Sequence, residues 1–189
     1  MMLPLAILPL LFTLPGPAAS QDATQEFTGS GEIHVLNSTD VWTATPADRV
    51  GCLNVNGQLT LDDCAVFTRL DDLPYTLSTA AGNCSFGNPA MPTNTDSVYG
   101  RNAHAWSCAD EDFGTVEYYY TINGLNYPFI CTGDVDCYYD MVGKVPTEDT
   151  APMPVWQFFW GSEQFDVPPG HWRVLWLWVK VNGTGQGQE

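Results

Sequence analysis

Hydrophobic and polar positions alternate in short runs along most of this chain, and turn-forming residues separate one run from the next. Glu32-Ile33-His34-Val35-Leu36 alternates with the period of two that belongs to a strand half covered by a core. Residues 50–61, VGCLNVNGQLTL, place two apolar runs on either side of Asn56-Gly57, the dipeptide suited to the positive φ angles of a two-residue hairpin turn. The same arrangement recurs over residues 117–131, EYYYTINGLNYPFIC, around Asn123-Gly124, with Pro128 assigning the second strand to an edge or bulge. Residues 154–181 then predict a hairpin of two very apolar strands, VWQFFW and HWRVLWLWVKV, joined by GSEQFDVPPG. In the last strand Trp172, Val174, Trp176 and Trp178 share one face and Arg173, Leu175, Leu177 and Val179 the other. Both faces are therefore largely apolar, as in a strand covered on two sides. Leu175, Trp176, Leu177 and Trp178 are expected to be buried, and Trp156 and Trp160 at least partly so.

Between these elements, residues 82–114 are punctuated by Gly, Pro and Asn and read as a long loop-rich segment. A helix of one or two turns is the reading for Asp63–Leu70; no longer stretch keeps a helical period with caps. The fold class expected is all-β with minor helix, an antiparallel β-sandwich or barrel-like single domain. Its body runs over residues 31–181, with a flexible segment at 21–30 and a disordered tail at 182–189.

Composition adds a compartment to this picture. Residues 1–20, MMLPLAILPLLFTLPGPAAS, are uncharged and apolar and end in small residues suited to signal peptidase. The apolar run is shorter than the ~20 residues needed to cross a bilayer, and prolines interrupt it. The segment is read as a signal peptide cleaved before Gln21, and the mature protein as extracellular. The six cysteines, Cys52, Cys64, Cys84, Cys108, Cys131 and Cys137, all lie beyond it. An even number in an exported chain predicts disulfides, and local order favours Cys52 with Cys64, Cys84 with Cys108 and Cys131 with Cys137. Three sequons, at Asn37, Asn83 and Asn182, are candidate N-glycosylation sites.

Charge removes several classes of partner. The chain carries 22 Asp and Glu against 6 Lys and Arg, a formal charge of −16, and its bases are scattered singly. Such a surface repels phosphate backbones and anionic headgroups, so neither nucleic acid nor, after signal cleavage, a membrane is an expected partner. No G-x-S-x-G string occurs, and His34, His104 and His171 lie in three different segments. No catalytic residue is assigned. With so many acids, a carboxylate pair of glycosidase type cannot be chosen from sequence. Asp134, Asp136 and Asp140 around Cys137 are weak calcium candidates; beyond them no metal site and no cofactor is expected. Candidate ligand contacts are Trp172 at the strand end beside Pro169-Gly170, the Tyr138-Tyr139 pair, and His104 among polar neighbours.

The strings G-C-L-N-x-N-G-x-L-T-L-D-D-C-A-V-F-T (51–68), N-T-D-S-V-Y-G-R-N-x-H-A-W-S-C (94–108) and G-D-V-D-C-Y-Y-D (133–140) resemble uncharacterised small secreted cysteine-containing proteins of filamentous ascomycete fungi. So does W-x-F-x-W-G-S-x-x-x-x-x-x-P-G-H (156–171). The resemblance implies a fungal secreted origin and carries over no catalytic residue. The function expected is a non-enzymatic extracellular interaction protein, effector-like or associated with the cell wall, whose partner is an extracellular polysaccharide or a host or cell-wall protein. The alternative is a secreted carbohydrate-active hydrolase working through a carboxylate pair.

Overall fold

The structure, a computed structural model, describes residues 27–72, 76–111, 113, 117–133 and 137–181. The expected signal segment, the Asn182 sequon with its tail, and Asp134 and Asp136 lie outside the described residues. Among the described residues twelve strands account for nearly all regular structure: β1 (Ser30–Leu36), β2 (Arg49–Leu53), β3 (Leu59–Thr60), β4 (Phe67–Arg69), β5 (Leu77–Thr79), β6 (Gly82–Ser85), β7 (Ser107–Ala109), β8 (Tyr119–Tyr120), β9 (Cys131–Thr132), β10 (Tyr138–Val142), β11 (Val155–Gln157) and β12 (His171–Lys180). The described residues contain no α-helix, only a 3-10 turn at Pro46–Asp48.

Ten strands form one antiparallel sheet in the order β11-β10-β12-β1-β4-β5-β6-β7, with β2 and β3 branching from β1, while β8 and β9 pair separately. The sheet curls into a half-barrel, which places the expected all-β fold on the barrel-like side. The curl brings its ends together: Trp106 N, just before β7, donates to Val155 O of β11 at 2.8 Å, and Leu59 of β3 bridges Met153.

β12 organises this arrangement. On one edge it pairs with β1 from Gly31↔Lys180 to Leu36↔Leu175. On the other edge β10 takes its first half, and residues 128–130 take its second through Ile130 N to Trp176 O and Trp178 N to Pro128 O. The two faces read from sequence become two cores. Val174, Trp176 and Trp178 enter one cluster with Phe86, Trp106, Tyr119 and Tyr139; Leu175 and Leu177 enter another with Leu36, Phe129 and the Cys131–Cys137 bridge. In the first cluster the Tyr139 ring stacks on Trp176 at 3.5 Å, and Trp106 donates from Nε1 to Tyr119 Oη at 2.6 Å. Trp178 fits because β1 carries Gly31 beneath it, where a Cβ would stand 2.6 Å from the indole.

Some elements differ from the sequence reading. The strands of residues 154–181 do not form a hairpin, because β10 lies between β11 and β12. Tyr139 and Met141 of β10 bring inward rings and sulfur that the first core needs. Residues 63–70 form no helix: Phe67 is fully buried, and β4 pairs through Thr68 and Arg69 with β5. Burial of Phe67 in the sheet overrides the weak helical pattern. The body also begins earlier than expected, since Phe27 is buried with its ring 5.1 Å from Trp178 and β1 starts at Ser30. A hairpin forms around Asn56-Gly57 but with a longer loop than the two-residue turn expected: Leu53 pairs with Leu59, Gly57 N donates to Asn54 O with Val55 and Asn56 between them, Gly57 takes φ 81°, and Asn54 Oδ1 accepts from the amides of Asn56 and Gln58.

All three disulfides form in the expected pairing, Cys52–Cys64, Cys84–Cys108 and Cys131–Cys137. By chain entropy a bridge spanning 24 residues constrains the unfolded chain more than one spanning 6, about 3 against about 2 kcal/mol. Replacing Cys84 and Cys108 by Ser should lower unfolding free energy more than the same change at Cys131 and Cys137, as read by urea denaturation. In the core, Trp176→Ala should cost roughly 3 to 5 kcal/mol, because the fully buried indole leaves a cavity under the Tyr139 ring. Equal denaturation midpoints for wild type and Trp176→Ala would contradict this assignment.

Candidate functional site

The second face of β12 changes character at its N-terminal end, where His171 and Arg173 replace the leucines. Antiparallel register sets Asp140 of β10 opposite Arg173 and diagonal to His171, and sets Trp156 of β11 opposite Asp140. These four side chains therefore share one sheet face. Two loops cover it, residues 92–104 and 158–168.

Asp140 is buried, and a buried carboxylate must find donors. It finds two: Asn94 Nδ2 donates to Oδ2 at 2.7 Å, and His171 Nδ1 lies 2.6 Å from Oδ1. The other imidazole nitrogen, Nε2, meets Asp96 Oδ2 at 3.3 Å. The His171 side chain is only 4% exposed, with the Trp156 indole stacked at 6.0 Å, whereas the Asp96 side chain is 69% exposed. Burial pushes the Asp140 carboxyl above its usual range, and the bonds from His171 and Asn94 draw it part of the way back. Asn94 Oδ1, on the same buried amide, has no protein partner.

Arg173 ties in a third segment. Its guanidinium lies over the Tyr138 ring at 4.6 Å and the Phe158 ring at 5.7 Å, donates to Thr39 O, and approaches Asp166 at 3.8 Å. The turn after β1 and both covering loops thus converge on this end of the sheet. The two covering loops are also fastened to each other: Val98 N donates to Gln164 Oε1 at 2.6 Å, and Glu163 N donates to Tyr99 Oη at 2.9 Å. Large apolar side chains nonetheless face water on these segments. Trp160 is 62%, Phe165 79%, Trp42 66% and Tyr99 41% exposed. The expected partial burial of Trp160 is overturned, because residue 160 lies beyond β11 on a loop that no strand covers.

The residues proposed from sequence are placed as follows. Tyr139 is fully buried in the first core and presents nothing to a ligand. Trp172 is partly buried against that core, on the face opposite His171. Tyr138 is half-buried under Arg173, and His104 is half-buried with Nδ1 3.0 Å from Met91 O, a contact that fastens its loop. Asp140 is occupied by His171 and Asn94, which leaves no calcium set with it among the described residues. Asn37 and Asn83 are exposed. Glu32, His34 and Cys64 bring potential metal-ligand atoms together, but Cys64 is bound to Cys52 and offers no thiolate. The His171, Asp140 and Asp96 set was missed; its one local signal was a histidine directly after Pro169-Gly170, where a strand begins.

No family model, curated protein or solved structure matches this chain.

A second carboxyl, Glu117, is also held above its usual range by burial, although Phe86 N donates to its Oε1 at 2.9 Å. Its Oε2 is buried without a partner. A carboxyl raised in the folded state binds its proton more tightly there than in the unfolded chain. The resulting stability is present in acid and is lost as pH rises through the raised values of Glu117 and Asp140. Urea midpoints should therefore fall as pH rises from the ordinary carboxylate range towards neutrality, and Glu117→Gln should flatten that slope. A slope unchanged in Glu117→Gln would remove this residue from the account.

Proposed function

We propose that the protein is a secreted, non-enzymatic binding protein for an extracellular polysaccharide. The carrying observation is the set of exposed rings, Tyr99, Trp160, Phe165 and Trp42, on segments that mutual hydrogen bonds and Arg173 hold in place. Large flat side chains displayed on a fixed frame bury area on a ligand at little entropic cost. Sugar rings suit them because their C–H faces stack on aromatic rings while their hydroxyls donate to carboxylates such as Asp96 and Glu163. Three disulfides support an oxidising, extracellular setting. Among the described residues no helix is long and apolar enough to cross a membrane.

A hydrolase reading draws on one observation, the imidazole oriented by a buried carboxylate as a general base is. Against it, His171 fills the space between Asp140 and Asp96, so these two carboxyls do not flank an open gap for a glycosidic bond.

The test is retention of the purified protein on insoluble cellulose, chitin and β-glucan, scored together with released sugar. Retention on at least one without sugar release is expected. Trp160→Ala and Phe165→Ala should each weaken it about tenfold, equivalent to 1.4 kcal/mol, with melting temperatures unchanged because both side chains lie mostly in water. Retention unaffected by both changes overturns the assignment of the site, and sugar release that disappears in His171→Gln favours the hydrolase.

A further inference from the structure

Hydrogen bonding alone sets the number of protons in the Asp140, His171 and Asp96 chain. Each imidazole nitrogen faces a carboxyl oxygen, Nδ1 at 2.6 Å and Nε2 at 3.3 Å. An ionised carboxylate only accepts, and a neutral imidazole carries one N–H. Both contacts therefore need two protons among the three groups: as imidazolium between two carboxylates, as protonated Asp140 beside a neutral ring with its proton on Nε2, or as protonated Asp96 beside a neutral ring with its proton on Nδ1. Removing one proton leaves one for two contacts. The buried contact keeps it, because Asp140 is enclosed and bound to Asn94, whereas Asp96 is 69% exposed and water can solvate it.

We infer that Asp96 and Nε2 of His171 form the polar part of the ligand site, and that the proton between them masks it in acid. Once that proton leaves, two acceptors stand side by side, one on β12 and one on the loop that carries Tyr99, a match for neighbouring hydroxyl donors of a sugar ring. The other groups facing His171 do not compete for this role. From β11 comes the uncharged Trp156 indole, and on β12 itself Arg173 is engaged by Asp166, Thr39 and Tyr138. Asp166 acts on Asp140 as a like charge and does not contact the ring. The identity of the ligand rests on the polysaccharide reading; the behaviour of the proton does not.

Ring-nitrogen NMR of His171 and carboxyl-carbon NMR of Asp96 in the full chain test the proton directly. As pH rises, the Asp96–Nε2 contact should lose its proton while the buried Asp140–Nδ1 contact keeps its own. The Asp96 carboxyl should shift with the same midpoint. An Asp96 signal that ignores His171, or a buried Asp140–Nδ1 contact that loses its proton first, overturns the inference. Retention on the polysaccharides above should rise as that contact loses its proton, and Asp96→Asn should abolish the rise. Equal wild-type retention on both sides of the midpoint overturns the masking, while absence of retention at every pH fails the polysaccharide reading and leaves the NMR result to decide the proton.

Discussion

The requirement that β12 be covered on both faces shapes the rest of the molecule. Trp176 and Trp178 need a layer thick enough to enclose two indoles, and no single neighbouring strand supplies one. Tyr139 from β10 provides a ring in contact with Trp176, and Phe86 and Trp106 approach from the far end of the sheet. They reach Trp176 only because the sheet curls, so the half-barrel is the form in which this strand's larger side chains are enclosed. On the opposite face Leu175 and Leu177 ask for less volume, and short segments around Phe129 and the Cys131–Cys137 bridge suffice.

That difference between the faces explains where the candidate site lies. Strands cover the indole face along its length, whereas loops close the other face at its N-terminal end. Loops have backbone amides and short polar side chains to spare, and a carboxyl buried beneath them can be met by donors. Asp140 receives Asn94 from one loop and His171 from its own sheet, although its raised proton affinity shows that they do not fully replace water. The site thus carries a stability cost near neutral pH, which the aromatic core and three disulfides offset.

What was legible in the sequence was local or periodic. The hairpin at Asn56-Gly57 follows from a dipeptide, the division of β12 into two faces from a period of two, and the three bridges from cysteines that close short loops. What was not legible depends on register between distant segments. That β10 would separate β11 from β12, or that residue 140 would lie diagonal to residue 171, follows from how rings fit in the core, which no local pattern encodes. Trp160 misled for a related reason: its apolar neighbours Trp156 and Phe158 are buried, but the strand ends at Gln157 and the chain leaves the sheet. Aromatic content in a run therefore indicated the strand without marking its end, and the exposed rings were sought on β12 when they lie on the loops beside it.

Charge and geometry both bear on the sugar ligand we propose for these loops. A chain with a formal charge of −16 repels polyanions. At the site Arg173 is already engaged by Asp166, Thr39 and two aromatic rings, and Arg101 stands exposed on the covering loop. Beside Arg101, the loops leave acceptors such as Asp96 and Glu163 and flat apolar rings facing water. A ligand that supplies hydroxyl donors and apolar ring faces without a negative charge of its own meets both at once, and this combination favours a neutral sugar polymer over a phosphorylated or acidic partner. Fastening the loops to each other keeps the rings in place before the ligand arrives, so less ordering is required when it binds. A frame built to enclose indoles thereby supports a second set of aromatic side chains that it leaves uncovered.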